Sequence, residues 1–470
     1  MGGHHLPVAE FTRSQDLHDF LASYTSNHPE DVIRVSDRVP DSQDVAALVW
    51  QLSGAGRREM LRFGNLAGFP YEVVTNVFGC RRRIARILGT DERNLHTAYQ
   101  ARARNLIPPA DIGEGPALER SIRGDLVDLR DFPLLTHFAT DRAPYVTSGI
   151  MVVEGANGTG NLSYQRAMVH SPTELATSLH SRGDLWRMLL AAAQAGRSLP
   201  VAMVIGGHPL FMLAASARVP MSVDERHVAG GLFGAPLEVV RTPKYRIRVP
   251  ATADFVLEGV IDPTERVEEG PFGEFTGYSS DRSTNSLFRV EAMYSRSHPI
   301  LLDVVGGNSD EHLNLGRIPR EAEMAEKLKN RFPDVVALHY PNSGSHFHCY
   351  VKLRQKRRGQ ARQVMLGVLG WDPYIKTVIA VDDDVDITND SEVLWALATR
   401  FQPASDMFVV EGLPGSPLDP SSSLAGTTSR LALDATRPDG FTAVRIGFSG
   451  ESLERAVRLM QNAYPTIDSV

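Results

Sequence analysis

Glu269 and Glu274 lie five positions apart in the segment EEGPFGEFTGYSS (268–280). Gly270, Pro271 and Gly273 exclude a helix there, so both acids ride on a constrained loop. Two carboxyls held close beside Phe272, Phe275 and Tyr278 have their pKa values pushed apart, and one can keep a proton to donate. The alternative is a rigid turn whose acids face water. A second group stands about a hundred residues earlier, in NLSYQRAMV (161–169), where Asn161, Ser163 and Arg166 fall within six residues of a strand pattern. An arginine on an otherwise apolar strand requires an anion, either a structural carboxylate or a bound ligand. Strand parity turns Asn161 and Ser163 to one face and Arg166 to the other, so a bulge or a ligand lying across a strand end must reconcile them.

Other segments carry weaker signals. GANGTG (155–160) has phosphate-loop glycines, but strand-like alternation follows it, which favours a hairpin turn over a phosphate site. The run Lys352, Arg354, Lys356, Arg357 and Arg358 has no interleaved aromatics and reads as a solvated face or a subunit contact. Asp382, Asp383, Asp384 and Asp386 lack the glycine and glutamate of a calcium loop, so they read as a strand end leading to a helix capped near Asp390 or Ser391. Cys80, ahead of three arginines, has no identified base and reads as a small core residue rather than a nucleophile.

The elements that must position these groups change character along the chain. To about residue 112 the pattern is mixed α/β, with a helix over 14–23 and a helix or buried strand over 45–52. NLIPPADIGEGPA (105–117) reads as a linker. From 113 to 300 short apolar or alternating runs, interrupted by one helix at 185–196, predict a β-rich barrel or curled sheet. Residues 301–325 read as a linker and helix start, with helix after Pro319, and 326–470 alternate strands and helices as a separate α/β domain. At roughly 100–200 residues per domain, the 470 residues suit such a division. A net charge of −7 disfavours a nucleic-acid binder. Two distant cysteines exclude a disulfide framework or a Cys-based zinc site, and no apolar run reaches the length of a membrane span, so the chain reads as cytoplasmic with no membrane partner.

Taken together, the NxSxxR pattern of Asn161, Ser163 and Arg166, continuing as AMV, and the later EGPFGE ending in Glu274 resemble the UbiD family of decarboxylases. LEVVRT (237–242), VPATADFVLEG (249–259) and VDDDVDITNDSEVLWALATRFQP (381–403) resemble that family in order and spacing, so the likeness runs through most of the chain. The resemblance implies an N-terminal α/β domain, a central split barrel that binds prenylated FMN and a C-terminal α/β oligomerisation domain. It implies a reversible, non-oxidative decarboxylase of an aromatic or α,β-unsaturated carboxylic acid. A UbiX-type flavin prenyltransferase would supply the cofactor, and the assembly would be a homodimer or a larger homo-oligomer.

Residue by residue, the resemblance assigns a divalent metal, usually manganese, to Asn161, His180 and Glu225, with potassium as a further candidate ion. It assigns flavin contacts to Asn161, Ser163, Tyr164, Gln165, Arg166, Leu179, His180, Arg182, Gly183 and Glu225. Arg166 would engage the substrate carboxylate, Glu269 would hold Arg166 and Glu274 would supply the proton that replaces carbon dioxide. His312, in GGNSDEHLNLG (306–316), would border the substrate pocket, although a helix-start loop explains that segment equally well. A non-decarboxylating flavin protein, a reductase or carrier on the same barrel, is the alternative, and the joint presence of Arg166, Glu269 and Glu274 argues against it.

Overall fold

A computed structural model describes residues 10–463 except 68, 133, 156, 157, 180–182, 355, 356, 358, 424 and 425. The first of its three parts comprises α1 (Leu17–Asn27), β1 (Val32–Val35), α2 (Asp44–Gly54), β2 (Met60–Phe63), β3 (Glu72–Thr75), α3 (Arg81–Ile87) and α4 (Leu95–Ala103). α1 begins later than Ser14 because Asp16 is its cap, accepting the His18 N–H at 2.7 Å. The segment left open between helix and strand at 45–52 is helical, and buries Val45, Ala46 and Val49.

The central part opens with β4 (Ala110–Asp111), β5 (Arg120–Arg123), β6 (Tyr145–Val146), β7 (Ile150–Glu154), β8 (Gly160–Tyr164), β9 (Ala167–Ser171) and β10 (Glu174–Thr177). It continues through α5 (Asp184–Gln194), β11 (Leu199–Ile205), α6 (Pro209–Ala215), α7 (Glu225–Phe233), β12 (Glu238–Arg241) and β13 (Arg248–Pro250). The long strands β14 (Phe255–Glu269) and β15 (Ser283–Ser295) and the short β16 (Ile300–Leu302) complete it. The main sheet runs β6-β9-β10-β15-β14-β11-β7-β8, with β5 added on β15. β8 and β9 lie near its opposite ends, yet only Gln165 and Arg166 separate them in the chain. Three peptide steps reach about 11 Å at most, so the sheet must roll until its ends meet as a split barrel. That break between strands, rather than a bulge, settles the parity of Arg166: it belongs to neither strand.

Three expectations differ from what is observed here. The segment 105–117 is stitched down rather than free: β4 pairs in parallel with β12, and the Ile107 N–H bonds to the His227 carbonyl at 3.1 Å. Gly230 permits this approach, since a Cβ there would stand 2.4 Å from the Ile107 oxygen. Two further helices, α6 and α7, interrupt the β-rich region. α6 is buried at all seven positions and so shows no amphipathic period. The stretch after residue 300 is not a linker: β16 pairs with β3, giving a sheet β1-β2-β3-β16 with the first part of the chain.

The third part starts with α8 (Asp310–Arg331), which runs through Pro319 instead of beginning after it. Proline cannot donate to the carbonyl four residues back, and that carbonyl, of Leu315, accepts the Ser216 hydroxyl at 2.9 Å instead. Then follow β17 (Val335–His339), β18 (His348–Leu353), α9 (Gln360–Trp371), β19 (Thr377–Asp382), α10 (Asp390–Arg400), α11 (Pro403–Asp406), β20 (Met407–Pro414), β21 (Thr427–Ala435) and α12 (Gly450–Ala463). Their sheet has the order β17-β18-β19-β21-β20. The acidic run is structural: Asp382 and Asp384 accept from Arg400 at 2.9 and 2.7 Å, and α10 is capped by Asn389, one residue earlier than expected. In the basic run, Arg354 pairs with Asp383, while Lys356 and Arg358 lie outside the described residues. β7 and β8 pair as a hairpin on either side of GANGTG, in which Gly158 has a positive φ of 80° while Ala156 and Asn157 lie outside the described residues. Among the described residues no helix is long and apolar enough to cross a membrane.

Candidate functional site

Glu269 ends β14, and the chain then folds back so tightly that Gly273 bridges Ser279 and the Glu274 N–H reaches the Tyr278 carbonyl at 2.9 Å. The connection between β8 and β9 aims Arg166 at this hairpin. Its Nε and Nη2 donate to the two oxygens of Glu269, both at 3.0 Å, and its Nη1 donates to Glu274. Glu269 also accepts the Tyr145 hydroxyl at 3.0 Å and the Asn285 amide at 2.8 Å, so four hydrogen bonds fill its carboxylate. The Arg166 guanidinium lies 4.9 Å from the centre of the Phe272 ring. Charge-assisted contacts on one side and an aromatic face on the other hold it in one orientation.

Arg166 and Glu274 face a cavity of about 820 Å³, within the range of small-molecule sites, whereas Glu269 stands behind them. The cavity runs from the β8 edge, past α6 and the loop after it, to the start of α8 and the third part of the chain. Asn161, Ser163, Tyr164, Gln165, Gly183 and Glu225 all line it. Leu179 packs instead against the barrel core. His180 and Arg182 lie outside the described residues.

Gly160 and Leu162 present their N–H groups from β8, the end strand of the sheet, and the first turn of α7 satisfies them. Asp224 accepts from Gly160 and Glu225 from Leu162, each at 2.9 Å. Arg226 locks that turn in place against Asp224 and Glu154. Only glycine fits at 160, because a Cβ would stand 1.8 Å from Arg226 Nη2. Burial pushes the Glu225 carboxyl up to about 7, with Asp224 and Asp184 adding repulsion. Beside it, the buried Asn161 Oδ1 has no hydrogen-bond partner. A carboxylate and an orphaned carbonyl oxygen side by side are the donor set of a hard cation. Among the described residues no three His, Cys, Asp or Glu side chains converge as a metal site.

Several lining residues carried no sequence signal. They are Arg320 of α8 and His346 and Tyr374 of the third part, which build the far wall together with His312, the one residue there that the resemblance had set beside the pocket. The His312 Nδ1–H donates to the Gly307 carbonyl at 3.0 Å, which leaves Nε2 as an acceptor when the ring is neutral. Burial, opposed by that bond and joined by Arg166 and Arg317, lowers its pKa. Burial and the cations Arg320 and Arg317 push His346 well below its ordinary value. His346 and Tyr374 lie more than seventy residues from Glu274, beyond the reach of any local motif.

Comparison with known proteins bears on the fold and the family. Residues 26–102, 111–309 and 313–435 match, in turn, the N-terminal, Rift-related and C-terminal domain models of 3-octaprenyl-4-hydroxybenzoate carboxy-lyase. The UbiD-class enzyme HmfF from Pelotomaculum thermopropionicum, solved with FMN, is 31% identical with a TM-score of 0.88, over 93% of this chain and 98% of that one. An evolved dimeric form of HmfF with prFMN is 30% identical with a TM-score of 0.85, over 93% and 98%. The vanillic acid decarboxylase of Sedimentibacter hydroxybenzoicus, in open form, is 28% identical with a TM-score of 0.84, over 96% and 99%. With all three domain models matched in order and the fold shared with these structures over nearly the whole chain, the chain belongs to the UbiD family of carboxy-lyases.

Proposed function

We propose that this chain is a reversible, non-oxidative decarboxylase of an aromatic or α,β-unsaturated carboxylic acid that works with prenylated FMN. The observation that carries the reading is the Arg166–Glu269–Glu274 group at the wall of the cavity, with Glu269 behind the arginine and Glu274 in front. Glu269 occupies the Nε/Nη2 fork of Arg166, so an incoming carboxylate competes with Glu274 for the Nη1 side. Of the two acids, Glu274 has the fewer donors and faces the cavity, which suits it to proton delivery. Prenylated FMN, when bound, supplies the electron sink for the bonding pair left as carbon dioxide departs. Glu274 then delivers its proton to the carbon that lost the carboxylate, and the reverse transfer serves carboxylation. Phe272, Phe275, Val304 and Leu315 surround the conjugated body of the acid and keep water from the site.

Asn161 and Glu225 would hold a divalent cation, manganese in the family pattern, with His180 as third ligand. The ion would supply positive charge for the flavin phosphate. Ser163, Tyr164, Gln165 and Gly183 would contact the flavin itself, and potassium remains a candidate second ion. The exposed apolar side chains of α12, with Val444, Ile446 and Phe448 before it, support self-association into a homodimer or larger assembly. A UbiX-type prenyltransferase would supply the cofactor, and a cytoplasmic location suits both enzymes. The test is to co-express the chain with such a prenyltransferase and determine released cofactor by mass and absorbance, metal content, and carbon dioxide release from a panel of conjugated acids. Near-stoichiometric prenylated flavin with manganese and release from at least one acid is the expected result. Folded protein with neither cofactor nor metal overturns the reading.

A further inference from the structure

The peptide that carries Glu274 is held from two sides by different parts of the chain. On the barrel side, Asp141 accepts the Gly273 N–H at 3.0 Å. On the other side the next residue, Phe275, is gripped by the third part: the Ser345 hydroxyl donates to the Phe275 carbonyl at 2.7 Å. The buried Phe275 ring sits against His346, Phe347 and Tyr374, with ring centres 4.8, 5.6 and 6.1 Å away. Ser345 has a φ of 52°, a left-handed conformation that a serine adopts only where its surroundings hold it.

From this geometry we infer that Ser345 and Phe275 are positioning residues for Glu274, through which the third part of the chain sets the distance between the acid and the substrate carbon. The inference rests on the proposed role of Glu274 as proton donor. Glu274 and Phe275 share one peptide, and that peptide is pinned in a tight turn by the Gly277 N–H to Glu274 carbonyl bond at 2.9 Å. A shift of Phe275 therefore carries Glu274 with it. Proton transfer needs heavy atoms within about 2.6–3.2 Å, so a displacement of about 1 Å is enough to slow it. Arg166 also contacts Glu274 through Nη1, but its Nε/Nη2 fork is held by Glu269, which Tyr145 and Asn285 fix within the barrel, so loosening the Phe275 grip shifts the acid relative to a cation that keeps its main anchor.

The test compares wild type with Ser345→Ala, Ser345→Gly and Phe275→Leu, the glycine variant releasing the strained φ while also removing the hydroxyl. Hydrogen–deuterium exchange of the substrate-free chain should show amides of 272–280 exchanging at least threefold faster in all three variants, with β14 and β15 unchanged. In cofactor-loaded protein, kcat of the two Ser345 variants for the acid found in the panel should fall about tenfold while KM and flavin content stay within twofold; Phe275 also lines the cavity, so its variant is read by exchange alone. A purely structural role would alter binding and stability together. Unchanged loop exchange in both Ser345 variants overturns the inference even where Glu274→Gln is inactive, and so does an unchanged kcat. Normal turnover by Glu274→Gln removes the reading beneath it, a result separate from the exchange data. Should Phe275→Leu fail to fold, the two Ser345 variants decide the matter alone.

Discussion

Glu269, the last residue of β14, and Glu274, in the turn after it, share an arginine but not an environment. Glu269 is saturated by four donors and buried behind Arg166, while Glu274 touches only one face of the guanidinium and opens on the cavity. Replacing Glu274 by Gln keeps shape and removes the transferable proton. Carbon dioxide release should then fall by at least about 100-fold, the scale of general-acid catalysis, with the flavin still bound. Single-turnover assays on flavin-loaded protein check both. At the other end of the cavity, Glu225→Ala removes a buried carboxylate beside the orphaned Asn161 oxygen. Metal and flavin should be lost together on desalting, as read by elemental analysis and absorbance, and unchanged metal content counts against Glu225 as a ligand.

At the scale of elements, strand ends and helix starts do the positioning. β8 stops at Tyr164 so that Arg166 can leave the sheet, carboxylates at the start of α7 cap the β8 edge, and the first turn of α8 carries His312 to the cavity wall. The start of α8 is tied to the first part of the chain by Glu311. This fully buried residue accepts from the Asn76 N–H at 2.8 Å, the Thr75 hydroxyl at 3.0 Å and the Val305 N–H at 3.2 Å. Burial outweighs those donors and pushes its carboxyl up to about 7 from an ordinary value of 4.5. The folded chain thus holds a proton that the unfolded chain releases. This contribution is full below pH 4.5, declines as pH rises toward 7 and is flat above it. With one pKa unit worth about 1.4 kcal/mol, the stability of wild type relative to Glu311→Gln should fall by up to about 3 kcal/mol across that window. Urea unfolding of both proteins at several pH values measures the difference.

At the scale of the molecule, the candidate cavity is assembled where the barrel, α8 and the third part of the chain meet, and the described residues of α12 present an exposed apolar stripe. Leu453, Val457 and Met460 recur at helical spacing and are all exposed, as are Val444, Ile446 and Phe448 in the segment before α12. Truncation after Gly440 should lower the mass found by light scattering to that of a monomer, whereas an unchanged mass places the interface elsewhere. The sequence by itself determined the mixed α/β class and the β-rich centre, because residue type and turn chemistry constrain these within short windows, and it singled out Asn161, Arg166, Glu269 and Glu274, which the fold brings to or behind one cavity. It misplaced the chain around 105–117 and 300–325, because pairing of β4 with β12 and of β16 with β3 is long-range and leaves no local period. It overlooked α6 because a helix buried on every side has no polar face to mark its period. Only the tertiary structure decided that Glu269 lies behind Arg166 and Glu274 before it, and that His346, Tyr374 and Ser345 reach the same site. Those relations depend on how the rolled sheet and the third part pack together, and packing between segments distant in sequence is set by the sum of many contacts that no single stretch encodes.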